Sequence, residues 1–130
     1  MTSALLYPDA VLVTTGLLRT ALAAAGQTVH VGSQIPNPRP ARFVKVTRTG
    51  GPKVLRVVDG AQITVDAWAA DAGAAMDLAQ LCRKCIEEMP GTAPVHRVEE
   101  IGGPQDLPDP VSDTPRVTFT VQVQMRGQAA

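Results

Sequence analysis

Thr28-Val29-His30-Val31, Gly32-Ser33-Gln34-Ile35-Pro36-Asn37-Pro38-Arg39-Pro40, Arg42-Phe43-Val44-Lys45-Val46-Thr47-Arg48, Thr49-Gly50-Gly51-Pro52, then Val54 to Trp68: read in that order, residues 28–68 are strand, proline loop, strand, glycine turn, strand. Residues 42–48 alternate, with Val44 and Val46 on one side and Phe43, Lys45 and Thr47 on the other, the period of a pleated strand. Gly50-Gly51-Pro52 is a turn. Val54–Val58 is expected to return as the antiparallel partner of 42–48. Asp59-Gly60 marks a bulge or tight turn, after which Ile63, Val65 and Ala67 alternate with Gln62, Thr64 and Asp66. The three prolines at alternate positions 36, 38 and 40 cannot donate to a sheet and stiffen an exposed loop. A ligand for a proline-recognising domain is the functional alternative there.

Outward from this stretch, the N-terminal side reads as a helix. Tyr7-Pro8-Asp9 opens it, with proline in the first turn and Asp9 at the positive end of the dipole. Leu17, Leu18, Ala21, Leu22 and Ala25 form its stripe, and Gly26 stops it. On the C-terminal side, Asp71 is an N-cap for a second helix reaching Met89. Its apolar stripe is Ala75, Leu78, Cys82, Cys85, Ile86 and Met89. Val95–Ile101 is a strand. Residues 102–115, with Pro104, Pro108, Pro110 and Pro115, read as a long loop. Arg116–Met125 is the last strand, with Val117, Phe119, Val121, Val123 and Met125 alternating with uncharged Thr and Gln.

The order α-β-β-β-α-β-β predicts one α+β domain over residues 1–130. A mostly antiparallel sheet of four to five strands is covered by two helices, with mobile loops near 32–41 and 102–115. At 130 residues the chain can bury a real core, and 45% apolar content argues against disorder. Aromatic residues are only 3%, so little is available for stacking on bases.

Formal net charge is zero, but charge is unevenly placed. Residues 39–56 carry Arg39, Arg42, Lys45, Arg48, Lys53 and Arg56 and no acid. Residues 99–113 carry Glu99, Glu100, Asp106, Asp109 and Asp113 and no base. Opposite patches on one chain suit head-to-tail contact with a copy of itself; two solvated faces that never meet are the plain alternative. A basic hairpin could also meet phosphate, which makes a nucleic-acid-binding adaptor the rival reading. Zero net charge and sparse aromatics weigh against it.

Catalytic signals are weak. Cys82-Arg83-Lys84-Cys85 lies in the second half of a helix on its apolar stripe, whereas a redox thiolate needs the helix N-terminus. A zinc site would need two more ligands, and the chain offers only His30 and His96. Glu99 and Glu100 are adjacent on a strand and so point to opposite faces. No glycine-rich loop opens a helix to cradle phosphate. No cofactor, metal or catalytic residue is expected. The N-terminus lacks a signal-peptide pattern, no apolar run reaches membrane-spanning length, and the two cysteines suggest no secreted disulfide framework. A soluble protein made in a reducing cytoplasm is expected.

Several phrases carry a family resemblance: Val31-Gly32-Ser33-Gln34-Ile35-Pro36-Asn37-Pro38-Arg39-Pro40, Arg48-Thr49-Gly50-Gly51-Pro52, Ala61-Gln62-Ile63-Thr64-Val65-Asp66-Ala67-Trp68, Val95-His96-Arg97-Val98-Glu99-Glu100-Ile101-Gly102-Gly103-Pro104, and Pro115-Arg116-Val117-Thr118-Phe119. Together, in order and over nearly the whole chain, they resemble the tail terminator proteins of long-tailed, siphovirus-type phages infecting actinobacteria. The resemblance implies a structural virion protein that is not an enzyme. It implies a ring, usually of six copies, on the head-proximal end of the tail tube. There the ring stops polymerisation and presents a docking surface to the head connector. Its partners would be copies of itself, the major tail tube protein and the head-side connector, with DNA passing through the lumen without specific binding, in the neck of the virion. A sibling connector or neck protein is the neighbouring alternative. On this view the basic stretch contacts an adjacent subunit or the tube, and residues 99–113 form the complementary surface.

Overall fold

The computed structural model describes residues 5–129. The elements in order are β1 (Leu5–Leu6), α1 (Ala10–Ala24), β2 (His30–Gly32), β3 (Phe43–Arg48), β4 (Lys53–Leu55), β5 (Val58–Trp68), α2 (Ala72–Glu87), β6 (Val95–Asp106), β7 (Arg116–Arg126) and β8 (Gln128–Ala129). The helices largely follow their sequence signals, except that α1 begins one residue after Asp9, which leaves Pro8, expected in the first turn, ahead of the cap. The Asp9 carboxylate accepts from the backbone N–H groups of Val11 and Leu12, and that of Asp71 accepts from Ala74 N–H, so each helix start has a side-chain cap. At the end of α1, Gly26 takes φ +76°, and the N–H groups of Gly26 and Gln27 bond back to the carbonyls of Ala23 and Leu22. Only that left-handed turn meets both orphan carbonyls.

Six strands form one sheet in the order β2-β3-β5-β7-β6, with β4 paired to β5, while β1 and β8 form a separate two-stranded ladder. The fold is α+β and mostly antiparallel, as expected, with one strand more in the main sheet and one parallel pair, β2 with β3. Both helices pack on one face. Leu18 and Leu22 of α1 and Leu78, Cys82 and Ile86 of α2 meet Val44, Val46, Ile63, Val65, Phe119, Val121 and Val123 of the sheet. Each large side chain so buried contributes about 1.5–3 kcal/mol relative to exposure.

Two expectations fail. The first is the hairpin between 42–48 and 54–58. β3 pairs instead with β5, from Phe43 opposite Trp68 to Arg48 opposite Ile63, while β4 folds back on the beginning of β5. Val44 and Val46 need an alternating partner, and Ala67, Val65 and Ile63 supply it in register. Val54, Leu55 and Val57 do not alternate and stay exposed. The second is the loop over 102–115. The strand expected to stop at Ile101 runs to Asp106, with register shifts on either side of Gly102, so the connection spans only residues 107–115. Gly102-Gly103-Pro104 bends the strand without ending it, which is possible because β6 lies at the sheet edge, where a proline removes no ladder bond.

No described helix packs on the opposite face of the sheet. It carries cross-strand rows of Lys45, Asp66 and Thr118, of Thr47, Thr64 and Thr120, and of Gln62 and Gln122. The Thr64 and Thr120 hydroxyls lie 3.3 Å apart, and Gln124 Nε2 donates to Gln122 Oε1 at 2.8 Å. No described helix is long and apolar enough to cross a membrane.

Candidate assembly surfaces

The register brings one end of every long strand to one place. Phe43 begins β3 opposite Trp68 at the end of β5, and Trp68 faces Arg116 at the start of β7. The proline loop 33–42 enters β3 at this end, and the proline loop 107–115 joins β6 to β7 there. Phe43 and Trp68 stack at 4.5 Å with planes 12° apart. The Arg39 guanidinium lies over both rings, at 5.3 and 5.7 Å, and that of Arg116 lies 5.6 Å from the Trp68 ring. This cluster joins the loops through one carboxylate. Asp109 is buried; its Oδ2 accepts from Arg39 at 3.0 Å and from Trp68 Nε1 at 3.3 Å, and its Oδ1 accepts from Val111 N–H at 2.9 Å and Ser112 N–H at 3.4 Å. Asp113 N–H closes the turn on the Asp109 carbonyl, and Asp113 sits at φ +55°. The Val111 amide first, then Arg39 and Ser112, hold the Asp109 carboxyl far below the usual carboxylate range, against the opposing effect of burial.

The basic block does not form one surface. Arg39 is at the Trp68 end, bonded to Asp109, and Arg42 donates to Gln27 Oε1 at 2.8 Å. Lys45 faces Asp66 across the open face. Arg48 lies at the far end of β3. It donates to Asp59 Oδ2 at 3.0 Å, and to the carbonyls of Gly50 and Gly51, which brace the glycine turn. Lys53 Nζ lies 5.3 Å from the Tyr7 ring centroid, and the Tyr7 hydroxyl donates to the carbonyl of exposed Arg56. The acidic block divides too. Glu99 pairs with Arg97 at 2.9 Å, and Glu100 accepts from Arg83 of α2 at 2.8 Å. Asp106 and Asp113 remain exposed, with no ion pair within the described residues. Asp59, Trp68, Arg116 and Arg83 were not among the site residues expected from sequence. The lone tryptophan and the Asp59-Gly60 pair were visible signals, but their partners lie far away in sequence.

Cys82 and Cys85 are both buried free thiols. Burial and the neighbouring Cys85 push Cys82 up to about 12, and burial raises Cys85 as well. A thiol so protonated is a poor nucleophile. Alkylation of Cys82 by iodoacetamide at pH 8 is expected to be at least about 100-fold slower in the folded protein than in urea. Equal rates would refute the packing role. Among the described residues no group of three or more His, Cys, Asp or Glu is placed to hold a metal ion.

The fold and these surfaces define a small α+β domain in which several buried or half-buried charged side chains brace loops and strand ends. The chain belongs to the phage tail termination protein family, whose sequence model matches residues 6–130. It is thus a structural protein of the phage tail, where it associates with other virion proteins. No curated protein matches the chain.

Proposed function

We propose that copies of this chain form a ring on the head-proximal end of the tail tube of a siphovirus-type actinobacteriophage. The ring stops tube growth and receives the head connector, and the sequence resemblance suggests six copies. The observation that carries the reading is the Asp109 cluster. A buried carboxylate, two arginines and a stacked aromatic pair fix two loops at one end of the sheet, far more bracing than exposed connections need. A fixed sheet end gives a partner a surface that needs no ordering on docking.

The charge hypothesis is narrowed by the intrachain bonds. Arg39, Arg48, Glu99, Glu100 and Asp109 are already in ion pairs within the chain, which leaves Arg42, Lys45, Lys53 and Arg56 against Asp106 and Asp113 for charge contacts between molecules. Reversing Arg42 and Lys45 together to glutamate is expected to weaken ring formation or tail joining, more at low salt than at high salt. Arg48 is left out of this test because its reversal would also unseat Asp59. Rings counted in negative-stain images, and tail-to-head joining in extracts, are the measurements. Normal assembly at both salt concentrations would remove the charge hypothesis.

A further inference from the structure

The β6–β7 ribbon has two different ends. At one, the connection 107–115 projects Val111, which is 94% exposed, with Leu107 also exposed. This knob is held in shape: the Val111 amide is bonded to the buried Asp109, and Asp113 follows at φ +55°. Exposed Asp106 and Asp113 flank it. At the other end, where β6 begins and β7 finishes, a cavity of about 410 Å³ is lined by apolar Ala93, Pro94 and Val95 together with His96, Arg126 and Gln128. Arg126 Nη2 lies 3.3 Å from His96 Nδ1, and no acidic residue lines the cavity. The tip of the β4–β5 hairpin adjoins it, since Gly127 N–H bonds to the Val57 carbonyl. That tip adds exposed Leu55, Arg56 and Val57. The arginines beneath the loop, Arg39 and Arg116, are bonded within the chain, so the loop itself offers an apolar tip with two uncommitted carboxylates, while the cavity about 35 Å away along the eleven-residue β7 is apolar and basic.

We propose that the Val111 loop of one copy seats in the Pro94–Arg126 cavity of the next, with Asp113 or Asp106 meeting Arg126. The inference rests on the ring reading and names its subunit contact. The occupant is a second copy because the loop's apolar tip and free carboxylates match the apolar lining and the arginine of the cavity on the same chain. A contact between two different patches is heterologous, and repeated through a closing rotation it makes a ring. An exposed aliphatic knob entering a basic, apolar-walled recess has the make-up of an interface centre, with charge setting orientation.

The test uses the full chain with Val111→Asp and Arg126→Asp, both at exposed positions, with melting curves to check folding. Each variant alone is expected to lose rings and to self-associate at least about tenfold more weakly than wild type in sedimentation velocity. The decisive measurement is the mixture. A Val111→Asp copy keeps its cavity and an Arg126→Asp copy keeps its loop, so together they should give a one-to-one dimer that grows no further. Rings from either variant alone, full rings from the mixture, or no dimer would overturn the contact. Intact rings that no longer bind tail tubes would place the loop on the tube protein and overturn it as well. Wild-type protein that stays monomeric both in solution and on purified tubes would instead refute the ring itself.

Discussion

Replacing Asp109 by alanine is expected to destabilise the protein by about 3 kcal/mol, lowering the melting temperature by roughly 10 °C. The carboxylate meets four donors: Arg39, Trp68 Nε1 and the amides of Val111 and Ser112. Its loss leaves a buried indole N–H without an acceptor, about 1–3 kcal/mol on its own. It also removes an Asx-type cap from the turn, about 1 kcal/mol by analogy with helix caps. Arg39 is one-third exposed and can turn to water, which limits its share. Asparagine keeps one oxygen for the backbone amides and should cost about half as much as alanine. Urea unfolding followed by fluorescence is well suited, because Trp68 is the only tryptophan. An alanine variant as stable as wild type would show that the loops are not held by this residue.

The same residue sets an acid sensitivity. Its carboxyl titrates lower in the folded protein than in the unfolded chain, where an aspartate titrates near about pH 4. A depressed folded value stabilises fully above the unfolded value, and that contribution fades as pH falls through about 4 and below. The stability gap between wild type and Asp109→Asn should therefore be widest near neutrality and shrink below about pH 4. A gap constant down to about pH 2.5 would contradict the ionic part of the argument.

Gly51→Ala is the second large effect, about 3 kcal/mol. Gly51 has φ +93°, and a Cβ there would overlap the Gly60 carbonyl oxygen and stand 2.6 Å from Gln62 N. Both are backbone atoms of β5 and cannot turn aside. The turn would have to lift off the strand, losing the bonds between Thr49 N–H and the Gln62 carbonyl, Gln62 N–H and the Gly50 carbonyl, and Gly60 N–H and the Pro52 carbonyl. Each is worth about 0.5–1.5 kcal/mol net. Gly50 supplies the control. Its φ is +100°, but a Cβ would meet nothing within 4 Å, so Gly50→Ala should cost only the backbone term of about 1–2 kcal/mol. Equal costs at the two positions, measured by urea unfolding, would mean that the close approach to β5 contributes nothing.

Much of the fold was legible because it depends on short-range periodicity. The stripe Leu78, Cys82, Cys85 and Ile86 buries the face it was expected to bury, and Asp71 caps as expected. Val117 to Met125 alternates into the core as read. The failures fall where two segments compete for one partner. Val54–Val58 is nearer to β3 in sequence than Ile63–Trp68 is, but only the latter buries an alternating apolar row against Val44 and Val46. Residues 102–106 contain a proline and two glycines, local signs of a loop, and the ladder to β7 overrides them.

The basic stretch, residues 39–56, shows where the division lies. Local sequence determined its charge, its strand and its glycine turn, since those follow from residue type and spacing of a few positions. Only the tertiary structure decided that Arg39 would meet Asp109, seventy residues away, and Arg48 would meet Asp59, so that one run of charge became two internal braces at opposite ends of a sheet. A side chain's charge is local information. Whether that charge is free to meet a partner depends on which distant group the strand register brings within 3 Å, and that is a property of the sheet as a whole.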